Sequence, residues 1–329
     1  MSEYPLIADH GLIGNLQTAA LVATDGTIDW FCAPRFDSPS IFGSLLDHDH
    51  GGHLQTRPMV DTFTRQQLYY PDTAILVTRF LTESGVGEVV DFMPIASATV
   101  ASDRHQLVRM IRCVRGEMTF AVDIAPRFDY GRESHQTHVT ENGVIFEGAR
   151  NAISLSIVRE PDDARLARVQ LVSEDLQVEF TLTAGETRGL VLETGEPRSP
   201  RQIRVSEVWR LFDETVRFWR SWLAQSTYAG RWRETLQRSA ITLKLMTYAP
   251  SGGIVAAPTA ALPEQIGGER NWDYRYTWVR DASLSVYALL GLGFTEEAAG
   301  LGRWLRDRVQ ERIGGEGGPL NIMYRVDGS

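Results

Sequence analysis

The sequence is poor in cysteine, in basic charge and in long apolar runs, and each lack removes a class of protein. Only Cys32 and Cys113 occur, far apart and without a CxxC spacing. Neither a disulfide framework nor a cysteine-based zinc site is therefore expected. Lys and Arg number 33 against 42 Asp and Glu, a net charge of −9, which is the wrong sign for a nucleic-acid surface. No run reaches the roughly 18 apolar residues of a membrane span. The opening "MSEYPLIADHGLIGN" has neither the basic n-region nor the apolar h-region of a secretory signal. The expectation is a cytoplasmic protein with no nucleic-acid or membrane partner, of unspecified oligomeric state.

What is present is an ordinary globular composition, 329 residues with 43% hydrophobic and 23% charged, enough for two domains or one large one. From about residue 10 to 200 the pattern is strand-like. "TAALVATDGTIDWFC" places two apolar runs around Asp25-Gly26, a hairpin signal. "TAILVTRFLTESGVGEVVDFMPI" turns at Ser84 to Gly87, and "HQLVRMIRCVRGEMTFAVDIAPRF" breaks at Arg115-Gly116-Glu117. Many short strands with frequent turns and no intervening helices predict an antiparallel β-sandwich.

The period changes near residue 203. "IRVSEVWRLFDETVRFWRSWLAQS" puts Val208, Leu211, Val216, Trp219 and Trp222 near one helical face, with Ser206 as N-cap. "GRWRETLQRSAITLKLMTYA" predicts a second helix ending at "PSGG". A Gly-, Pro- and Ala-rich loop over 250–280 follows, then two helices from "DASLSVYALLGLG" and "TEEAAGLGRWLRDRVQERI". Consecutive helices that stop at "NIMYRVDGS" make a poor core alone, so the expectation is an N-terminal fragment of a longer protein. The Trp-rich stripe of Trp209, Trp219 and Trp222, with Trp232 beyond it, is expected to join domains rather than to hold ligand.

The stretch "RNWDYRYTWVRDAS", residues 270–283, packs Trp272, Tyr274, Tyr276 and Trp278 among five charged groups. Buried charges without partners cost several kcal/mol each, so such a segment does more than fill a core. Asp281 could simply favour the first turn of a helix through the dipole, with Arg280 as its pair. The other reading is a sugar site. Sugars present C–H groups on their faces and hydroxyls on their edges, and so call for planar rings beside bidentate polar groups. The even spacing of the aromatics would put all four on one side of an extended segment, with Asp273, Arg275 and Thr277 on the other. "DHDHGGH" offers Asp47, His48, Asp49, His50 and His53 as conceivable metal ligands, but Gly51-Gly52 marks a turn and no metal is expected. "FDSPSIF" and "PRFDYGR" are read as structural turns.

"YRYTWVRD" resembles the signature of glycoside hydrolase family 15, the glucoamylases and their bacterial relatives, including trehalases. "IADHGLIGNLQTAALVATDGTIDWFCAPRFDSPSIFGSLLD", "PRFDYGR" and "APTAALPEQIGGERNWDYRYTWVRDAS" are similar to the same family, so the resemblance spans nearly the whole chain. It implies a β + α architecture. An N-terminal antiparallel β-sandwich (supersandwich) over 1–200 would join, through a linker helix at 201–228, the first helices of an incomplete (α/α)6 barrel at 229–329. It also implies an inverting exo-acting α-glucosidase of glucoamylase or trehalase type that uses water and no organic cofactor. By the motif, Arg280 and Asp281 bind the hydroxyls of the terminal glucose, and Trp278 and Tyr274 line the same subsite. The family's aromatic between the two tyrosines is here Arg275. The family's general acid sits in a Trp-Glu context beyond the Arg-Asp motif. Glu296, Glu297, Glu311 and Glu316 do not offer that context, so the catalytic residues are expected beyond Ser329 and this chain alone is expected to be inactive. Two other readings stay open: a non-catalytic carbohydrate-binding module, and a phosphorolytic or glycosyl-transferring enzyme on the same barrel. The linkage cleaved, α-1,4, α-1,6 or α,α-1,1, is not fixed.

Overall fold

The computed structural model describes residues 4–95, 105–160, 168–195, 199–315 and 317–329. Glu316 lies outside the described residues. A 3₁₀ turn (Ile7–Asp9) leads into β1 (His10–Gly14), β2 (Ala19–Ala23), β3 (Ile28–Cys32), β4 (Ser40–Phe42), β5 (His53–Pro58), β6 (Thr64–Tyr69), β7 (Leu76–Leu81), β8 (Gly85–Phe92) and β9 (His105–Ala125). One turn, α1 (Phe128–Gly131), precedes β10 (His135–Thr140), β11 (Gly143–Gly148), β12 (Ala152–Val158), β13 (Arg168–Val172), β14 (Asp175–Thr183) and β15 (Thr187–Gly195). All fifteen strands belong to one network, paired antiparallel throughout.

The network has two limbs, and β9 belongs to both. Its first half, residues 105–116, lies between β8 and β15; its second half, 117–125, lies between β5 and β14. The break expected at Arg115-Gly116-Glu117 is therefore not a chain reversal. Gly116 has φ +71, a left-handed value that glycine adopts without penalty, and there the single long strand passes from one limb to the other. The turn expected at Ser84 to Gly87 also shifts, because Gly85 already pairs with Gly116 and opens β8. The Asp25-Gly26 hairpin between β2 and β3 forms as expected, with Gly26 at φ +86.

Burial follows from the layering. β14 alternates inward and outward in strict period two, since one face meets the core and the other meets solvent. β9 begins with a continuous buried run because both its faces are covered. Leu107 and Ile111 join the core between the limbs, which also takes Phe31, Phe80, Val89, Phe120 and Phe146. Val108 and Met110 face outward under α2 (Val205–Leu223), against Val208, Phe212 and Val216. Inside the sandwich core, Arg109 and Asp91 are both fully buried and joined by two hydrogen bonds of 2.7 and 3.0 Å. Arg109 also donates to the Leu54 carbonyl (3.0 Å) and Thr56 Oγ1 (3.1 Å).

The helices are α2, α3 (Arg233–Leu245), α4 (Val279–Gly291) and α5 (Thr295–Gly314), with the small ladder β16 (Thr277–Trp278) to β17 (Met323–Tyr324) between loops. α2 caps on Arg204 without a side-chain bond, so Ser206 lies inside the helix and is not its N-cap. α3 ends at Leu245, five residues before "PSGG", because Thr247 turns into a bridge with Ile254. Trp219 and Trp222 are buried against Leu12, Leu21 and Trp30 of the sheet and Ala240, Leu289 and Trp304 of the helices. They join the two regions, as expected of the tryptophan stripe. Trp209 packs edge-on to Phe212 at 5.3 Å, whereas Trp232 is 59% exposed and stands outside the stripe. Among the described residues no helix is long and apolar enough to cross a membrane.

His10 ties the N-terminal turn to β3. Its Nε2 lies 2.7 Å from Asp29 Oδ2 and its Nδ1 lies 2.9 Å from the Leu6 carbonyl. Both partners are acceptors, so both ring nitrogens donate and the ring is charged. Burial works against that charge, but Asp29 outweighs it and raises the pKa above 6.5. A raised folded-state value contributes stability in full below about pH 6.5 and loses it as pH rises through the folded pKa. Thermal melts should therefore show wild type losing stability above neutrality relative to His10→Phe. Parallel pH profiles would contradict the assignment.

Candidate functional site

The segment 270–283 runs along the strip 256–261. Ala261, Ala257 and Ala256 donate their amides to the carbonyls of Trp272 (3.1 Å), Tyr274 (2.9 Å) and Tyr276 (3.2 Å). Every second carbonyl thus points one way, and the side chains between them divide. Arg275 and Thr277 are buried, while Trp272 is 46% exposed and Tyr274, Tyr276 and Trp278 are half-buried. The segment is not a straight strand, however, because residues 274 and 275 turn. Three of the four rings come together: Tyr274 stacks on Trp278 with centroids 5.9 Å apart at 29°, and Trp272 meets Trp278 edge-on at 6.5 Å. Tyr276 makes no comparable ring contact among the described residues.

Val279 then starts α4, its amide bonded to the Ile322 carbonyl at 3.1 Å. Arg280 and Asp281 fall in the first turn. Arg280 reaches into solvent, its side chain 76% exposed, with Nη2 at 3.2 Å from Asp281 Oδ2. That oxygen is shielded and accepts no hydrogen bond. The cap at Trp278 has no side-chain bond either, so Asp281 serves the helix only through its charge near the positive end of the dipole. A carboxylate oxygen screened from water and without a donor is a strong acceptor for any hydroxyl that reaches it.

Glu264 is a site residue that the sequence reading missed. Its Oε1 accepts from Trp272 Nε1 at 3.0 Å and from the Tyr274 hydroxyl at 3.4 Å. It lies in a Gly-, Pro- and Ala-rich loop, and only the fold brings it to the rings. Burial, then the neighbouring Glu264 and Asp281 carboxylates, push the Tyr274 phenol above its ordinary value, with Arg280 opposing. Tyr274 therefore remains a donor at any physiological pH. The cluster joins three rings to donors (Arg280, Tyr274) and acceptors (Asp281, Glu264), which is the donor–acceptor and face chemistry of a polyhydroxylated ring.

The other sequence candidates lie apart from this cluster. His48 pairs with Asp49 (3.3 Å), His50 with Asp47 (3.1 Å) and His53 with Asp123 (3.7 Å). These are separate pairs, and among the described residues no group of three or more such side chains could hold a metal ion. Gly51 lies against the Gly43 carbonyl, where an added Cβ would come within 2.3 Å. Close backbone approach accounts for the glycine there. Glu297 is buried with Lys244 Nζ and Trp222 Nε1 each at 2.8 Å. Burial opposes its charge, yet Lys244 and Trp222 hold its pKa below the ordinary carboxylate value. It is an ion-pair partner at the helix junction, away from the rings. Glu311 binds Arg308 on α5, and Glu296 is exposed on the same helix.

Two family comparisons match the chain: "Trehalase-like, N-terminal" over residues 2–202 and "Glycosyl hydrolases family 15" over residues 230–329. Among curated relatives, a trehalase of Thermoplasma volcanium is 35% identical over 309 residues, 90% of this chain and 46% of that protein. A trehalase of Mycolicibacterium smegmatis is 32% identical over 347 residues, covering 99% and 51% respectively. Trehalase 1 of Sulfolobus acidocaldarius is 32% identical over 324 residues, covering 97% and 51%. The chain spans about half the length of these relatives. A sheet region matching the first family over most of its residues, followed by the ring-and-carboxylate segment inside the second, is a single continuous pattern: the chain belongs to the trehalase-like proteins of glycosyl hydrolases family 15.

Proposed function

We propose that residues 270–283 grip the terminal glucose of a trehalose-type disaccharide, in a glycoside hydrolase of which this chain supplies the sugar-holding part. The observation that carries this reading is the juxtaposition of the Trp272–Tyr274–Trp278 ring cluster with the unpartnered Asp281 oxygen. Trp278 and Tyr274 offer a face to the sugar's C–H groups, and Arg280 and Asp281 bind its hydroxyls. The names of the curated relatives favour α,α-1,1-linked trehalose over maltose-type substrates.

Hydrolysis with inversion needs an acid at the leaving oxygen and a base on water, about 6.5–9.5 Å apart. We place that pair outside residues 1–329. In this reading the sheet region 1–200 and the linker helix 201–228 support the first helices of an (α/α)6 barrel, 229–329. α4 fits such a barrel, because Leu284 (65%), Tyr287 (79%) and Leu290 (46%) form a bare apolar face of the kind that further helices cover. Water is the co-substrate, with no organic cofactor. Two free, buried cysteines, Cys32 and Cys113, suit a reducing cytoplasm.

Titration of the 329-residue chain with trehalose, read by tryptophan emission, should give saturable binding near 1 mM, about −4 kcal/mol, without glucose release. Glucose release by the chain would refute the placement of the carboxylates. Glucose 1-phosphate in phosphate buffer would move the reaction to phosphorolysis.

A further inference from the structure

Arg275 stands where the family resemblance has an aromatic, and its guanidinium is the most fully engaged in the site. Nε donates to Asp273 Oδ1 (3.0 Å) and Nη2 to Asp273 Oδ2 (2.7 Å). Nη2 also donates to the Tyr130 hydroxyl (2.7 Å), and Nη1 donates to the Ser38 carbonyl (2.7 Å) and to Cys32 Sγ (3.3 Å). Those contacts occupy all five donors of a guanidinium. Two are made within the sugar-facing segment itself. The other three reach β3, the loop after it and the α1 turn, all in the sheet region. The group is 4% exposed and lies 5.6 Å from the Tyr130 ring and 5.9 Å from the Trp30 ring.

The sheet region is arranged around this one side chain. Asp129 and Tyr130 both have left-handed backbone, φ 50 and 60. That conformation is costly for a tyrosine, and it accompanies the placement of the Tyr130 hydroxyl on Nη2. Trp30 donates Nε1 to the Pro258 carbonyl at 2.6 Å, which holds the strip 256–261 against β3. That strip in turn bonds the carbonyls of Trp272, Tyr274 and Tyr276. Asp37 takes both Arg35 (2.9 Å) and Arg325 (3.6 Å), and so fastens the same loop to the chain beside β17. The rings sit on the opposite side of the segment from Arg275.

We infer that Arg275 is a positioning residue for the sugar site, through which Cys32, Ser38 and Tyr130 of the sheet region fix the face presented by Trp272, Tyr274 and Trp278. This rests on the sugar reading of the segment. It makes the N-terminal region part of the substrate site at one remove, rather than an independent module. A lysine cannot replace the arginine, because three donors on a point charge cannot reach Asp273 and three sheet groups at once.

The test uses the 329-residue chain with Arg275→Met, Arg275→Lys and the milder Tyr130→Phe, which removes one hydroxyl from a 37% exposed ring. Two readouts are taken: amide hydrogen exchange and trehalose titration. Arg275→Met should speed exchange at Ala256, Ala257 and Ala261 by at least roughly tenfold, with amides of β9 and β15 unchanged, and weaken trehalose binding by a similar factor. Arg275→Lys should recover little of either. Tyr130→Phe should give a smaller change of the same pattern, roughly fivefold, as for one lost hydrogen bond. Unchanged exchange in the strip, or exchange that rises equally throughout the protein, overturns the inference. If wild type binds no trehalose, the sugar reading falls, and exchange alone still decides whether Arg275 positions the segment.

Discussion

Replacing Asp281 with alanine is expected to weaken trehalose binding by roughly 10- to 150-fold. The estimate takes one hydrogen bond to a charged group as about 1.5–3 kcal/mol. The structure makes the effect specific, because Asp281 Oδ2 is shielded and bonded to nothing, so no internal hydrogen bond is lost with it. Its contribution to α4 through the helix dipole is on the order of 0.3–1 kcal/mol. Asp281→Asn controls for this, since it keeps the shape and removes the charge. Arg280→Met should act in the same direction with a nearly unchanged melting temperature, because that side chain is 76% exposed. The measurement is the trehalose dissociation constant beside the melting temperature of each variant. Wild-type affinity in both variants would leave the dipole as the only role for Asp281.

The largest expected loss of stability lies far from the sugar. Arg109→Met should cost about 3–5 kcal/mol, because it strands the Asp91 carboxylate inside the sheet core. Burial already raises the Asp91 pKa even with Arg109 in place. A carboxyl whose folded pKa is raised binds more protons folded than unfolded, so stability falls as pH rises through that range. Removing Arg109 removes the opposing charge and enlarges the effect. The deficit of Arg109→Met should therefore shrink as pH falls toward the ordinary carboxylate range. It should also shrink when Asp91→Asn is added at neutral pH. Chemical denaturation at several pH values measures both, and a pH-independent deficit without rescue would contradict the buried-charge account.

How much could be read from the sequence depended on the range of the interactions involved. The Asp25-Gly26 hairpin was legible because two residues decide it. The helix α2 was legible because its apolar face repeats along 19 residues. The passage of β9 between limbs was not, since Gly116 punctuates the chain in the same way whether the strand reverses or bends. The N-cap at Ser206 failed for a related reason. A serine near a helix start carries no information about which backbone turn comes first.

In the site, the spacing of the four aromatics correctly anticipated a ring face, and three of the four rings share it. Local pattern says nothing of partners 10 residues away in a loop, such as Glu264, or 145 and 243 residues away across the fold, such as Tyr130 and Cys32. "PRFDYGR" and "FDSPSIF" looked like turns and are turns. That they also hold the sugar-facing segment through Tyr130, Ser38 and Asp37 depends on long-range contacts that no short stretch encodes.

The measurement that bears most directly on the central claim is saturation-transfer NMR of trehalose with the 329-residue chain, repeated with Trp278→Ala. If the ring face and Asp281 grip a terminal glucose, wild type should transfer saturation to the protons of one glucose face, and Trp278→Ala should abolish the transfer while the melting temperature holds. Equal transfer from both proteins, or none from wild type, would contradict it.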